Sequence, residues 1–464
     1  MGNILISLGS VIREKGIIDK IINISENEFF LVEQKHKKYY GKLNRNQKLS
    51  FERNLLKKNN LNLKDNLNFN KLYKITKKIL SDQNCFFILS RKKLNYFEYS
   101  PMRLNEIAVN LINNSYSLII ENKIEHLIIH NTPHAENWFL FRTAELMGKK
   151  IYIIRESLIP GYSRIFCGLT EQKLINQCGG EKALSNNIIK KFIKEKTEKK
   201  YINSIPGIQE ERRKIYNNGY SGFLSEAKFF LKEDSFNLKR KLKAKLSVIK
   251  TVIFKKESLD FYQKNTVINR NSDLSKYKPF ITFFLQYQPE RTSIPEANSF
   301  SFQYKTILFL KSVLPKKINL LIKEHPDTYR NKFSPRFKSK ETYKNLLALP
   351  GLYLCDMNID PFSLLDESLI VSTLTGNVGI ESICRGKKII FFGDAIFKDY
   401  PFATNGCDKN FKLKLKEFLS KPDKVSNAII NSYIINYMKR SYKNNYENFS
   451  TKLLEDLLKQ IKFL

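Results

Sequence analysis

The sequence predicts an α/β fold with two Rossmann-like domains, each built on a parallel sheet, and three observations lead there. Apolar runs of strand length alternate with segments of helical spacing from Cys85 to Glu156, and the alternation restarts at Lys278 and continues to Asp394, as crossover helices between parallel strands require. A long, charged, mostly helical stretch separates the two regions. The chain of 464 residues is long enough for two domains of roughly 200 residues each.

Composition narrows the function classes. A hydrophobic fraction of 42%, with 34 Phe and 23 Tyr, excludes a disordered chain. The net charge of +35, from 80 Lys and Arg against 45 Asp and Glu, predicts attraction to polyanions or to an anionic membrane face. The basic residues are scattered, and no helix-turn-helix, zinc-finger or RNA-recognition signature accompanies them, so no specific nucleic acid is expected. Six widely spaced cysteines without a CxxC pair indicate neither a zinc site nor a disulfide framework. The start, MGNILISLGSVIREKG, lacks a basic n-region and a long apolar core, and Ile6 stands where a myristoylation signal wants Ser or Thr. No run approaches the ~20 apolar residues that span a bilayer. The expected location is cytoplasmic, with peripheral attachment to the inner membrane face as an open addition.

Taken in order, residues 1–80 mix short apolar runs with lysine-rich segments, and their role stays open. Residues 81–178 form the expected first domain: CFFILS from Cys85 reads as a buried strand, Arg103–Asn122 as a helix, His126–His130 as a strand, Glu136–Met147 as a helix and Lys150–Glu156 as a strand. Residues 179–277 read as a basic, mostly helical insertion or linker. Within it Ala227–Lys256 interleaves Phe, Leu, Val and Ile with many Lys and Arg and only two acids, Glu233 and Asp234. That segment fits either a basic amphipathic helix on a membrane surface or a solvated insertion with one packed face. Residues 278–428 form the expected second domain, with strands at PFITFFLQYQ, INLLIKEHP and LYLCD, and then strand, turn, helix and strand in VSTLTGNVGIESICRGKKIIFFGD. Gly386 is placed to end that last helix as a left-handed C-terminal cap. Residues 429–464 read as C-terminal helices.

Polar groups gather where the strands of the second region end. They are Gln286 and Gln288 with Glu290 and Arg291, then Lys323 and His325, then Ser372, Thr373, Thr375 and Gly376, with Glu381 on the following helix. In open parallel sheets ligands collect at the carboxyl ends of strands. A cation, hydroxyls and helix-start amides there suit a diphosphate or phosphodiester, and an acid suits ribose hydroxyls. Each member also has an ordinary reading: an unliganded βαβ turn, a turn histidine before proline, a strand-end amide that satisfies backbone, a solvated helix acid.

From Phe280 to about Phe402 the sequence resembles the capsule polysaccharide biosynthesis family, which includes β-Kdo transferases. The resemblance rests on QYQPERTS (Gln286–Ser293), IKEHP (Ile322–Pro326), STLTGNVGIES (Ser372–Ser382) and GKKIIFFGDAIF (Gly386–Phe397), with NTPHAENW (Asn131–Trp138) similar to the family's first-domain motif. It implies a GT-B fold, two Rossmann-like domains facing a cleft, and a glycosyltransferase without metal or other cofactor whose substrate is a nucleotide sugar, CMP-linked by default. In that reading His325 contacts the donor phosphate and assists departure of CMP, Ser372 and Thr373 hold phosphate or sugar carboxylate, Lys323 supplies charge and Glu381 meets the ribose. His134 or Glu136 is the implied general base, with Glu156 a further candidate. The partners are the donor, a glycan or glycolipid acceptor and, through Ala227–Lys256, an anionic membrane surface. Leu374 and Thr375 depart from the more serine-rich loop expected. A GT-B epimerase acting on a UDP-sugar and a non-catalytic assembly protein are the alternatives.

Overall fold

The computed structural model describes residues 3–7, 29–31, 48–49, 66–82, 84–91, 101–130, 135–168, 173–174, 186–198, 253–288, 293–325, 328–329, 338–439 and 441–443, with Leu453 and Leu457. The chain divides into two compact units, residues 1–186 with 434–464, and residues 187–433. Each carries its own mostly parallel sheet.

In the first unit β1 (Asn3–Ser7), β2 (Phe29–Leu31) and β3 (Lys48–Leu49) precede the helices α1 (Asn66–Leu80), α2 (Asn84–Arg91) and α3 (Pro101–Glu121). Then come β4 (Ile124–His130), α4 (Ala135–Leu146), β5 (Lys150–Glu156), β6 (Tyr162–Cys167) and β7 (Lys173–Leu174). The strand order is β6-β5-β4-β1-β2-β3, with β7 also paired to β6. Strand β1 lies between β4 and β2, parallel to both. The segment whose role the sequence left open thus supplies a central strand. Its five residues are too few to stand out by themselves, and only pairing with Ile124–Ile129 reveals them. The switch point of this sheet lies between β1 and β4.

The expected strand from Cys85 is corrected to the helix α2. A run of five apolar residues fits either element, since periodicity cannot separate a buried strand from a buried helix at that length. Asp82 decides it locally: its Oδ1 accepts from the Asn84 N–H (2.9 Å), which starts a helix. Cys85, Ile88 and Leu89 then fall on one buried face.

The second unit begins with α5 (Asn186–Thr197), α6 (253–264) and β8 (Thr266–Ile268). It continues through β9 (Phe280–Phe284), α7 (Gln303–Val313), β10 (Asn319–Lys323), α8 (Lys340–Leu347), β11 (Leu352–Cys355), α9 (Pro361–Glu367), β12 (Ile370–Thr373), α10 (Val378–Cys384), β13 (Ile389–Phe391), β14 (Ala403–Asn405), α11 (Phe411–Ser420) and α12 (Asn427–Met438). The order β14-β13-β12-β9-β10-β11-β8 is parallel throughout. Both faces are covered, so β9, β12 and β13 are buried along their whole length, as parallel strands between helix layers are. Gly386 closes α10 at φ +68°, the left-handed cap read from the sequence.

Two expected boundaries move. Strand β8, α5 and α6 belong to the second unit, because β8 extends the sheet beside β11; the insertion read over 179–277 therefore contributes part of that unit. Near residue 434 the chain returns to the first unit, where β15 (Tyr442–Lys443) pairs antiparallel with β6. Ala227–Lys256 lies outside the described residues up to 252.

Candidate functional site

In the second sheet β9 lies between β12 and β10. The chain proceeds from β9 to β10 and β11 toward one edge, and from β12 to β13 and β14 toward the other. The carboxyl ends of β9 and β12 therefore flank the topological switch point, where open α/β sheets bind ligands. The three polar segments read from the sequence follow β9, β10 and β12, which are adjacent.

At the end of β9, Gln286 is clamped through its backbone. Its N–H donates to Gln303 Oε1 (2.7 Å) and its carbonyl accepts from Gln303 Nε2 (2.9 Å). The side chain of Gln286 is 7% exposed, yet its Oε1 has no hydrogen-bond partner among the described residues. Its Nε2 stands 2.6 Å from where a Cβ on Gly376 would lie, and Thr373 Oγ1 stands 3.0 Å from the same point. Gly376 thus keeps open the contact between the β9 and β12 ends. Gln288 is buried and donates from Nε2 to the Ser301 carbonyl (2.6 Å), which is the backbone-satisfying reading. Glu290 and Arg291 lie outside the described residues.

At the end of β12, Ser372 and Thr373 are fully buried. Thr373 Oγ1 donates to the Phe284 carbonyl (3.4 Å), while Ser372 Oγ has no hydrogen-bond partner among the described residues. Thr375 is buried. The helix start expected to present open amides spends several of them locally: Gly379 N–H donates to the Gly376 carbonyl (3.0 Å), and Ile380 and Glu381 N–H to the Asn377 carbonyl (2.9 and 3.2 Å). Gly379 instead admits the Phe397 ring, whose nearest atom is 2.1 Å from an ideal Cβ. Glu381 is half-buried, and desolvation pushes its carboxyl up against the opposing influence of Lys196 and Arg385. Arg385 in turn bonds both oxygens of Asp366 (2.8 and 2.6 Å) and the Thr197 carbonyl (2.6 Å).

At the end of β10, Lys323 is buried, and its ammonium donates to the carbonyls of Met357 (2.6 Å) and Glu324 (3.2 Å). It braces the ends of β10 and β11. His325 is half-buried, its ring centred 6.0 Å from that of Tyr287, and its N–H donates to Glu324 Oε1 (2.7 Å). Glu324 is the residue that sequence reasoning passed over, and it is fully buried. Burial alone would raise its carboxyl; the Lys338 ammonium, then the Tyr343 and Thr328 hydroxyls, hold it below the ordinary carboxylate range. A carboxylate directly after the apolar strand NLLIK was the available signal. Its partners lie too far along the chain to be paired with it by inspection.

In the first unit His134 lies outside the described residues, and Glu136 is placed on α4 by its backbone alone. Glu156 is exposed at the carboxyl end of β5.

Residues 227–442 match the family model "capsule polysaccharide biosynthesis protein". No curated protein matches the sequence. Among solved structures, a β-Kdo 2,7 transferase (KpsC) of Thermosulfurimonas dismutans is 10% identical over 75% of this chain and 90% of its own, with a TM-score of 0.31. The β-Kdo 2,4 transferase of the same organism is 8% identical over 69% of this chain and 85% of its own, with a TM-score of 0.28. A UDP-GlcNAc 2-epimerase of Methanocaldococcus jannaschii is 9% identical over 100% and 99%, with a TM-score of 0.26. Two units with parallel sheets are the element content of a GT-B type fold. Over residues 227–442, with three of the motifs that carry the resemblance at adjacent strand ends, the chain is similar to the capsule polysaccharide biosynthesis family.

Proposed function

We propose that the chain is a glycosyltransferase that moves an acidic sugar such as Kdo from a CMP-linked donor to a surface polysaccharide or its lipid-linked precursor. The observation that carries the reading is the switch-point cluster. Gln286 Oε1 and Ser372 Oγ are buried without partners among the described residues, and His325 follows the adjoining strand. Buried polar atoms without partners are costly, and a donor that hydrogen-bonds to them removes that cost. The family match over the same residues supports the class of substrate.

In this mechanism the bond between the anomeric carbon and the leaving phosphate oxygen breaks as the acceptor hydroxyl bonds to that carbon. Positive charge grows on the sugar and negative charge on the phosphate. The His325 imidazole hydrogen-bonds or protonates the leaving phosphate, and Ser372, Thr373 and Gln286 hold the donor in place. The acceptor proton passes to a base, for which His134 and Glu136 are the candidates.

Product analysis with a panel of CMP-sugars and a glycolipid acceptor tests the reading. CMP should raise the melting temperature; a rise with UDP alone overturns the donor assignment. His325→Ala should lower transfer by roughly 100- to 10,000-fold, whereas a non-catalytic assembly protein would keep its cellular role. Attachment to an anionic membrane face is supported by the net charge of +35 and by Ala227–Lys256. No helix among the described residues is long and apolar enough to cross a membrane. Flotation with and without anionic lipid tests the attachment, and equal behaviour in both removes it.

A further inference from the structure

Beneath His325 lies a connected set of buried polar side chains that the transfer chemistry leaves unused. Glu324 Oε1 accepts from the His325 N–H (2.7 Å), from Thr328 Oγ1 (2.7 Å) and from the Lys338 ammonium, and Oε2 accepts from the Tyr343 hydroxyl (2.6 Å). Tyr329 donates to the Tyr343 hydroxyl (3.1 Å), and Ser258 Oγ lies 3.0 Å from both the Tyr329 hydroxyl and the Lys338 carbonyl. The Glu324 N–H donates to the Tyr262 hydroxyl (3.2 Å), which donates to the Cys355 carbonyl (2.5 Å). Lys338 Nζ also reaches the Gln286 carbonyl (3.4 Å). Ser258, Tyr262, Glu324, Thr328, Tyr329, Lys338 and Tyr343 are all at least nine-tenths buried.

Stability alone does not account for such a set. A buried ion pair repays its desolvation poorly, and well-packed apolar side chains of similar volume are often as stable or more so. What the set achieves is location. It ties α6, α8 and the ends of β9, β10 and β11 to one carboxylate, and that carboxylate grips the main chain of His325. The hydroxyl donors of Tyr329 and Tyr343 point in sequence toward Glu324, so each bond polarises the next.

We infer that Glu324 is a positioning residue: through its buried network it fixes the His325 main chain, and so the imidazole, at the switch-point crevice. The inference rests on the proposed role of His325 toward the donor. Glu324 touches no reacting atom. The Lys338 bond to the Gln286 carbonyl extends the same control to the β9 end.

The test uses the full chain with Glu324→Gln, the charge-balanced Glu324→Gln/Lys338→Met, the milder Tyr343→Phe, and His325→Ala alone and combined with the charge-balanced pair. Three quantities are measured: melting temperature, kcat and KM for CMP-Kdo, and the ring signal of His325 in protein labelled with 13C-histidine. Only five histidines are present, so His325→Ala assigns that signal. The charge-balanced variant should melt close to the parent yet lose roughly 10- to 100-fold in kcat, the cost of misplacing a catalytic group by about 1 Å. KM should change little and the His325 ring signal should move. In the His325→Ala background the same pair should cost nothing further in kcat. Tyr343→Phe should lower kcat in the same direction by a smaller factor, and it carries the test if the other variants fail to fold. Parental kcat with an unmoved ring signal overturns the inference, as does an equal loss in the His325→Ala background. If the parent transfers no sugar but the ring signal moves on substitution of Glu324, positioning of His325 stands and the glycosyltransferase reading fails.

Discussion

Gly379 and Gly376 lie three residues apart around the start of α10, and the structure predicts opposite consequences for adding one methyl group to each. An ideal Cβ on Gly379 would lie 2.1, 2.3 and 2.8 Å from three atoms of the Phe397 ring. That ring is fully buried and meets Phe391 edge-on at 5.8 Å. Ordinary contact needs about 3.5–4 Å, so the ring must retreat by more than ~1 Å into packed surroundings. Overpacking of this kind costs about 1–3 kcal/mol, or roughly 4–8 °C for a loss of ~2 kcal/mol in a unit of this size. The Cβ of Gly376→Ala meets only the ends of two polar side chains, Gln286 Nε2 at 2.6 Å and Thr373 Oγ1 at 3.0 Å. The Gln286 amide can swing away, so the expected stability loss is under about 1 kcal/mol. Donor binding should suffer, because the displaced group belongs to the switch-point crevice. Differential scanning fluorimetry of both variants, with and without CMP, reads the two effects. A Gly379→Ala variant that melts with the parent would refute the packing argument. A Gly376→Ala variant that keeps its full response to CMP would refute the placement of Gln286 in the site.

Three further outcomes follow from particular groups. Ser372→Ala removes a buried hydroxyl without a partner among the described residues; stability should hold or rise by up to about 1 kcal/mol, while donor affinity measured by calorimetry falls roughly tenfold. The Glu324 carboxyl is held below its unfolded value, so its contribution to stability is fully present above about pH 4.3 and is lost as pH falls through the folded value. Lys338 stays protonated in both states in acid, so the stability advantage of the parent over Glu324→Gln, which leaves that ammonium buried without its carboxylate, should shrink below about pH 4 in acid unfolding followed by circular dichroism. Burial pushes the thiols of Cys85, Cys355 and Cys384 up to about 12. Peptide mapping after Ellman's reagent at pH 8 should find all three unreacted in the native protein and reacted in urea.

Much of the fold was legible before the structure, because parallel strands covered on both faces need unbroken apolar runs and their crossover helices need a different spacing. Phe280–Phe284, Asn319–Lys323 and Leu352–Cys355 all fall within runs read as strands. The short elements were not legible. Strand β1 has five residues and β15 two, and both exist only through their partners, while the five apolar residues from Cys85 carried no decisive period.

At the site, the sequence by itself determined which strand ends carry polar chemistry, since Gln286, His325 and Ser372 each follow an apolar run within the family's motifs. What only the tertiary structure decided is which of those groups are spent. Lys323 braces two carbonyls, Gln288 serves Ser301, and Glu381 sits among Lys196 and Arg385, whereas Gln286 Oε1 and Ser372 Oγ keep unused hydrogen-bonding capacity among the described residues. The physical reason is that a side chain's availability depends on its neighbours in space. Glu324 gathers Lys338 and Tyr343 from 14 and 19 residues away, and no local pattern encodes that meeting.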